Sequence, residues 1–202
     1  MAEDTSLGPD FWIRALDHRA GLFEALQHDE IGRRLDQLAE TVVEALAQGR
    51  KIMLFGNGGS AADAQHAAAE WVGRFLTDRN PLPAIALTTD TSILTAVGND
   101  YGFDRVFERQ IEALALPGDV AIGISTTGIS ENVIRGLRAA KKRGAHAAAL
   151  LGGEGGRAKE VADTALIVPT SEGPLVQEVH GFLLHLLCEE VELRLQKRES
   201  GS

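Results

Sequence analysis

The sequence predicts an α/β fold: a three-layer sandwich in which helices cover both faces of a five-stranded parallel sheet, preceded by an N-terminal helical hairpin. Short apolar runs alternate with helix-length segments, which is the pattern of strands joined by helical crossovers. Polar turns rich in glycine or hydroxyl residues follow two of these runs, and two helical segments precede the first run. At 202 residues, the chain is long enough to bury one substantial core.

The first 49 residues are predicted to form the helical hairpin. Residues 10–27 carry a loose apolar stripe and residues 31–46 a regular one, with Gly49 placed to end the second helix. A sheet domain does not need two helices before its first strand, so we interpret the hairpin as an oligomerisation element. Packing on the same subunit is the alternative. Residues 1–9 are polar and small, and we expect order there only where a neighbouring subunit holds them.

Residues 50–198 are predicted to form the sheet domain, followed by a fraying tail at 199–202. The apolar runs that predict strands are residues 52–55, 84–88, 119–124, 145–151 and 165–168. The segments that predict helices are an alanine-rich stretch after Gly59 and residues 91–97, 101–114, 131–143, 157–162 and about 174–197. Gly98, Asn99 and Asp100 are typical turn residues and predict a break between two of these helices.

The composition argues against several classes of function. The chain has a net charge of −9, whereas a non-specific nucleic-acid partner is bound by a surplus of Lys and Arg. Any anionic substrate must therefore be held by local features. Cys188 is the single cysteine, so no intramolecular disulfide can form. The sequence shows neither a leader pattern nor an apolar run of the roughly 18 to 20 residues that span a bilayer, and we expect a cytoplasmic protein without a membrane partner.

The segment FGNGGSAADAQHAAAE, residues 55–70, combines a glycine turn with the start of a helix. Glycines allow a close approach of the backbone to an anion, and the amides of Ser60, Ala61 and Ala62 are predicted to point free donors at it. His66 and Glu70 follow at a spacing of four residues and therefore share a helix face. They are either metal ligands or acid/base groups, or else a solvated pair that stabilises the helix.

A second polar loop carries four hydroxyl groups within six residues at the start of a helix: Ser125, Thr126, Thr127 and Ser130. A phosphate bound there gains hydroxyl donors, backbone amides and the positive end of the helix. The alternative is that Ser130 simply caps the helix. Both polar loops begin at strand ends, so they are predicted to open onto the same edge of the sheet.

The last predicted helix places two polar residues, Gln177 and His185, close to one face of an otherwise apolar segment. Polar groups in such a helix need hydrogen-bond partners, and a functional site would supply them. A core histidine that is hydrogen-bonded within the protein is, however, the commoner explanation for a single imidazole. His180 and Glu189 are further candidates on the same helix.

The segment GNGGSAADAQHAAAEW, the loop STTGIS, the Gly98–Asp100 turn and the closing QEVHGFLLH resemble the sedoheptulose 7-phosphate isomerases, or phosphoheptose isomerases, a family with the sugar isomerase (SIS) fold. The similarity runs over about residues 51–195. The family loop usually reads STSGNS, so this chain departs from it at Thr127 and Ile129, and it has Pro174-Leu175-Val176 where the family often has Asp-Arg-Ile. The resemblance implies an aldose/ketose isomerase that converts D-sedoheptulose 7-phosphate to D-glycero-D-manno-heptose 7-phosphate through an enediol. It also implies a homotetramer whose sites form between subunits.

The resemblance further implies roles for individual residues. One zinc ion per site is expected, and the implied ligands are His66, Glu70, Gln177 and His185. Glu70 and His185 are implied as the acid/base pair. The residues implied to bind the sugar phosphate are Asn57, Gly58, Gly59, Ser60, Asp100, Ser125, Thr126, Thr127, Ser130 and Gln177.

Two other functions remain open from the sequence. The chain also resembles a non-catalytic SIS protein that associates with the bacterial replication initiator, in the segments AQH and PAIALTTD. Relatives of that protein lack the residues that match Glu70 and His185, and both are present here, which favours an enzyme. The remaining alternative is an SIS domain that only senses sugar phosphates.

Overall fold

The computed structural model describes residues 8–27 and 30–200. It contains one sheet of five parallel strands in the order β2-β1-β3-β4-β5. The strands are β1 (Ile52–Gly56), β2 (Ala84–Ala86), β3 (Val120–Ser125), β4 (His146–Gly152) and β5 (Thr164–Val168). The helices are α1 (Pro9–Leu26), α2 (Ile31–Ala47), α3 (Gly59–Val72), α4 (Thr91–Tyr101), α5 (Val106–Leu114), α6 (Glu131–Lys142), α7 (Gly156–Val161) and α8 (Gly173–Ser200), with a 3₁₀ turn at Phe103–Arg105. The predicted α/β fold is confirmed.

Strands β1 and β3, inside the sheet, are buried on both faces, which explains why they read as continuous apolar runs. Successive side chains of a strand point to opposite faces. Ile52 and Leu54 of β1 pack into one core with residues of α2, α3 and α8. Met53 and Phe55 pack into a second core with residues of α5 and α6. The three layers therefore arise from the period of two along each strand.

The two N-terminal helices differ in how they pack. In α2, Leu38 and Val42 are fully buried in the core beneath α8, and Arg194 of α8 binds the carboxylate of Glu40 at 2.8 Å. Helix α2 therefore packs on its own subunit. Helix α1 instead leaves an apolar face exposed in the single chain, and its exposed large side chains are Phe11, Trp12, Ile13, Leu16 and Phe23. The oligomerisation role of the hairpin stays a prediction, and the expectation for residues 1–9 falls largely on residues 1–7, outside the described part of the chain.

The structure corrects the predicted break at residues 98–100. Helix α4 continues through Gly98, Asn99 and Asp100, and the chain turns at Gly102, whose φ of 88° is in the left-handed region. An isolated glycine costs a helix about 1 kcal/mol, which neighbouring turns can offset. Strand β2 is also shorter than predicted and ends at Ala86. At the other end of the chain, α8 continues to Ser200, and residues 201–202 lie outside the described residues.

Candidate active site

The two polar loops meet at the carboxyl ends of neighbouring strands, as the sequence predicts. Strands β1 and β3 pair so that Gly56 lies opposite Ile124. Asn57 follows β1 and exchanges two side-chain amide hydrogen bonds, of 2.9 and 2.8 Å, with Asn132 in the first turn of α6. This amide pair ties the first loop to the second. Sequence reasoning missed Asn132, although an amide residue two positions after the last hydroxyl of the loop was a usable signal.

The glycine turn before α3 does not present the free amides that the sequence predicts. The amide of Ser60 donates to the carbonyl of Asn57 at 3.0 Å, and those of Ala61 and Ala62 donate to the carbonyl of Gly58 at 3.0 and 3.2 Å. The prediction for these three amides is wrong, because the turn closes onto its own carbonyls at the start of α3. An anion at this edge must therefore be held mainly by other groups.

The hydroxyl loop, residues 125–130, is held in shape by its own hydrogen bonds. Ser125 Oγ accepts the amide of Gly128 at 3.1 Å and lies 3.3 Å from Ser130 Oγ. Ser130 occupies the N-cap position of α6, but its side chain makes no capping hydrogen bond. Helix capping alone does not account for this hydroxyl, which favours the interpretation as a ligand site. The hydroxyl of Thr127 lies on the exposed part of the loop.

Gly128 fixes how the hydroxyl loop packs. Its φ is 66°, and a Cβ at this position would lie 2.0 Å from the carbonyl oxygen of Gly155. The carbonyl of Gly128 also accepts the amide of Ala158 at 2.9 Å. The loop is thereby clamped against the start of α7, so its hydroxyl groups are positioned before any ligand arrives.

A histidine cluster, defined here as His66, Glu70 and His185, forms where α3 packs beside α8. His66 Nε2 lies 3.1 Å from Glu70 Oε1 and 3.4 Å from His185 Nε2. The ring of Phe75 lies against His185, with centroids 5.5 Å apart. His66 and His185 are 119 positions apart in the chain, and both are solvent-accessible. Three of the four residues assigned to zinc by resemblance are therefore adjacent.

The donor chemistry of the histidine cluster fits zinc. Ligands at about 2.0–2.2 Å from a tetrahedral zinc ion are separated from each other by roughly 3.3 Å. The two distances around His66 match two such edges. Within residues 8–27 and 30–200 of the single chain, however, no three or more His, Cys, Asp or Glu residues are grouped so as to hold a metal ion. The cluster supplies suitable atoms, and metal binding stays a prediction.

Gln177 lies away from this cluster. Its side-chain amide packs on Gly59, where a Cβ would be only 2.4 Å from Gln177 Nε2. Gly59 precedes His66 by seven residues, or about 10 Å along α3. The structure thus associates Gln177 with the glycine turn, beside Gly58 and Ser60. Asp100 is exposed on α4 and accepts a hydrogen bond from Asn99.

Asp63 was missed by the sequence reasoning. It lies one turn before His66 on α3 and lines a small cavity with His66, His185 and Cys188. Burial raises the pKa of its carboxyl, and the nearby His66 acts in the opposite direction. Its position three residues before His66, on nearly the same helix face, was the available signal.

The other two candidates on α8, His180 and Glu189, do not line the small cavity beside the cluster. His180 is fully buried, and its Nε2 donates to the carbonyl of Leu151 at 3.1 Å. Burial lowers the pKa of His180 to about 4, so this imidazole is neutral at ordinary pH. Glu189 lines a groove with Gly32 and Leu35 of α2. His180, a further candidate from the sequence, is therefore a core histidine with a backbone partner, and the structure does not bring it into the cluster.

The chain is similar to known proteins both in sequence and in fold. Residues 18–152 match the family model described as SIS domain. A phosphoheptose isomerase of Aquifex aeolicus is 59% identical over 160 residues, covering 79% of this chain and 84% of the relative. A phosphoheptose isomerase of Geobacter sulfurreducens is 54% identical over 179 residues, covering 88% and 94%. The solved phosphoheptose isomerase of Neisseria gonorrhoeae superposes with a TM-score of 0.81 at 44% identity, covering 90% of this chain and 98% of that one.

In the part of the chain that the structure describes, none of the helices combines the length and the hydropathy that a membrane span requires.

Proposed function

Because the chain belongs to the SIS domain family, and within it to the phosphoheptose isomerases, we propose that it converts D-sedoheptulose 7-phosphate to D-glycero-D-manno-heptose 7-phosphate. The observation that carries this proposal is the chain of contacts from Glu70 to His66 on α3, and from His66 to His185 on the remote helix α8. An aldose/ketose isomerisation needs a base beside the substrate carbonyl and a donor for the sugar oxygens. The histidine cluster contains both kinds of group.

The hydroxyl loop is the proposed phosphate site. Its hydroxyls can donate to phosphate oxygens, and the N-terminus of α6 adds its positive dipole end. Neutral donors of this kind suit a chain with a net charge of −9. Because the phosphate lies far from the reacting carbons, its binding energy can position the open-chain sugar.

Glu70 is the proposed proton shuttle. Its carboxylate would remove a proton beside the carbonyl and return it to the neighbouring carbon, through an enediol. His185 would handle the protons of the sugar oxygens, and the side chain of His66 lies between the two. Three further side chains are proposed to contact the sugar: Asn57, Gln177 and Asp100. The amide of Asn57 is held by Asn132, and that of Gln177 lies beside Gly59.

We further propose one zinc ion per site, with His66, Glu70 and His185 as ligands and Gln177 as the fourth. Because Gln177 lies beside Gly59 and away from these three residues in the single chain, the fourth ligand would have to be Gln177 of a neighbouring subunit. When bound, zinc would polarise the substrate carbonyl. A homotetramer with sites between subunits is proposed as well, and the exposed apolar face of α1 and the exposed position of Asp100 support contributions from a second subunit. A cytoplasmic location stays part of the proposal.

The experiment is incubation of the purified protein with sedoheptulose 7-phosphate in deuterated water, with and without a chelator. Formation of the aldose tests the activity, and deuterium at C1 or C2 tests proton transfer through the solvent. Loss of activity with chelator and recovery with zinc test the metal. Binding without product or deuterium would instead favour a sensing domain, and capture of the replication initiator by an inactive protein would favour the non-catalytic SIS alternative.

A further inference from the structure

The segment that follows α3, residues 73–80, is attached to α8 by one buried carboxylate. Glu192 has a side chain that is only 3% exposed. Its Oε1 accepts the amide of Phe75 at 3.2 Å, and its Oε2 accepts the amides of Leu76 and Thr77, both at 3.1 Å. Burial alone would raise the pKa of this carboxyl, but these amides outweigh it and hold the pKa below its usual range. Glu192 is therefore ionised at neutral pH.

Arg79 completes this attachment from the other side. Its Nε donates to Glu192 Oε1 at 2.8 Å, and its side chain is 12% exposed. Its two terminal nitrogens donate at 2.9 Å to backbone carbonyls at the end of α3, Nη1 to Trp71 and Nη2 to Glu70. A guanidinium at the C-terminal end of a helix is also attracted to the negative end of the helix dipole and stabilises it. Arg79 thus fixes the last turn of α3 through the backbone of Glu70 itself.

The ion pair of Arg79 with Glu192, called the bridge below, also reaches His185. Glu192 holds the backbone of Phe75, and the ring of Phe75 lies at 5.5 Å from the ring of His185, tilted by 32°. His185 and Glu192 stand seven residues apart on α8, about two turns along the same helix. One buried ion pair therefore connects to both ends of the proposed acid/base pair, although neither of its members belongs to the histidine cluster.

We propose that Arg79 and Glu192 are positioning residues that set the distance between Glu70 and His185. Arg79 acts through the carbonyl of Glu70, and Glu192 acts through Phe75 on the imidazole of His185. This inference rests on the proposed function of Glu70 and His185. Removing a buried charge-assisted bond displaces the groups it holds, and a misplacement of about 1 Å can reduce a rate about 100-fold.

The test compares Glu192→Gln and Arg79→Lys with a matched control, Asp119→Asn. Asp119 is also a buried carboxylate that binds backbone amides, of Lys51 and Leu116, and a cation, Lys51 Nζ at 2.6 Å. It precedes β3 and so lies at the opposite edge of the sheet from the polar loops. Glu192→Gln and Asp119→Asn each neutralise a buried carboxylate that binds backbone amides and a cation, so loss of stability alone affects these two variants alike.

Two readouts separate positioning from stability. The first is kcat and KM for sedoheptulose 7-phosphate, where both bridge variants are expected to lower kcat about 10- to 100-fold with KM changed less than about threefold. The second is the resonance of the His185 ring in histidine-labelled, chelator-treated protein, which is expected to shift when the Phe75 ring moves. Phe75→Leu, which keeps the backbone amide, should shift the same resonance. Asp119→Asn should leave kcat and the resonance unchanged.

The outcomes decide between the proposals. Bridge variants with wild-type kcat and wild-type His185 resonances would overturn the positioning role, whatever their stability. If the wild-type protein fails to isomerise the sugar while the resonance still shifts in the bridge variants, the proposed function fails and the placement of His185 by the bridge stands. If Glu192→Gln does not fold, Arg79→Lys carries the same test, because it keeps the charge and loses the fork that binds both Glu192 and the end of α3.

Discussion

The hydroxyl loop and the histidine cluster are assembled in different ways. The loop is one continuous hexapeptide in which Ser125 Oγ accepts the amide of Gly128, and Gly128 also packs against Gly155 before α7. The cluster joins two helices whose histidines are 119 positions apart, and it depends on how α3 packs beside α8. A local site is fixed by turn chemistry, whereas a composite site depends on the core beneath it. The loop should therefore tolerate changes elsewhere in the fold better than the cluster does.

The largest effect is expected from Glu70→Gln, which removes the proposed proton shuttle of the cluster and leaves the loop intact. General acid–base catalysis typically contributes about 10²- to 10⁴-fold, so kcat should fall by that factor. Binding of sedoheptulose 7-phosphate, measured by calorimetry, should persist, since the phosphate donors are unchanged.

Glu189→Gln is the control for this variant, because Glu189 is on α8 and faces the α2 groove. It should keep wild-type kcat. Full activity of Glu70→Gln would remove Glu70 from the mechanism, and loss of binding would show that the two regions are not separable.

Gly128→Ala tests whether the loop is as rigidly built as its geometry indicates. A methyl group there meets the carbonyl of Gly155 at a positive φ, so unfolding in urea should show a loss of about 2 kcal/mol or more. Gly32→Ala, on α2 with open space around it, is the control and should be neutral or slightly stabilising. An alanine variant at 128 as stable as the wild type would mean that the clamp on α7 is not needed.

Ser130→Ala distinguishes a ligand hydroxyl from a helix cap. Because the side chain makes no capping hydrogen bond, stability should change by less than about 0.5 kcal/mol. Loss of a hydrogen bond to a charged phosphate is worth about 1.5 kcal/mol or more, so KM should rise roughly tenfold. A stability loss of about 1 kcal/mol with unchanged KM would restore the capping interpretation.

The smallest effect concerns His180, the buried imidazole that lies outside the cluster. Its pKa is about 4 in the folded chain against about 6.5 when unfolded. As the pH falls from about 6.5 towards 4, the unfolded chain therefore binds a proton that the folded chain does not. Stability should fall by about 1 kcal/mol per chain between pH 6.5 and 5.5. Urea unfolding of wild type and His180→Gln at these two pH values measures this, and parallel losses in both proteins would contradict the assignment.

Local patterns determined the fold and much of the site. Short apolar runs that alternate with helical segments predicted five parallel strands, and the four clustered hydroxyls predicted the loop at the strand ends. The errors were also local. The sequence could not show that α4 would continue through residues 98–100, or that the amides after Gly58 would bind carbonyls of their own turn.

The tertiary structure alone decided which side chains meet. His66 and His185 converge, Gln177 lies instead against Gly59, and Arg79 and Glu192 are joined across 113 positions. A sequence carries the periodicity and turn preferences of each segment, because these depend on neighbours within about one helical turn. The contacts between α3 and α8 depend on their relative shift and rotation, and those are set by side chains packed throughout the shared core.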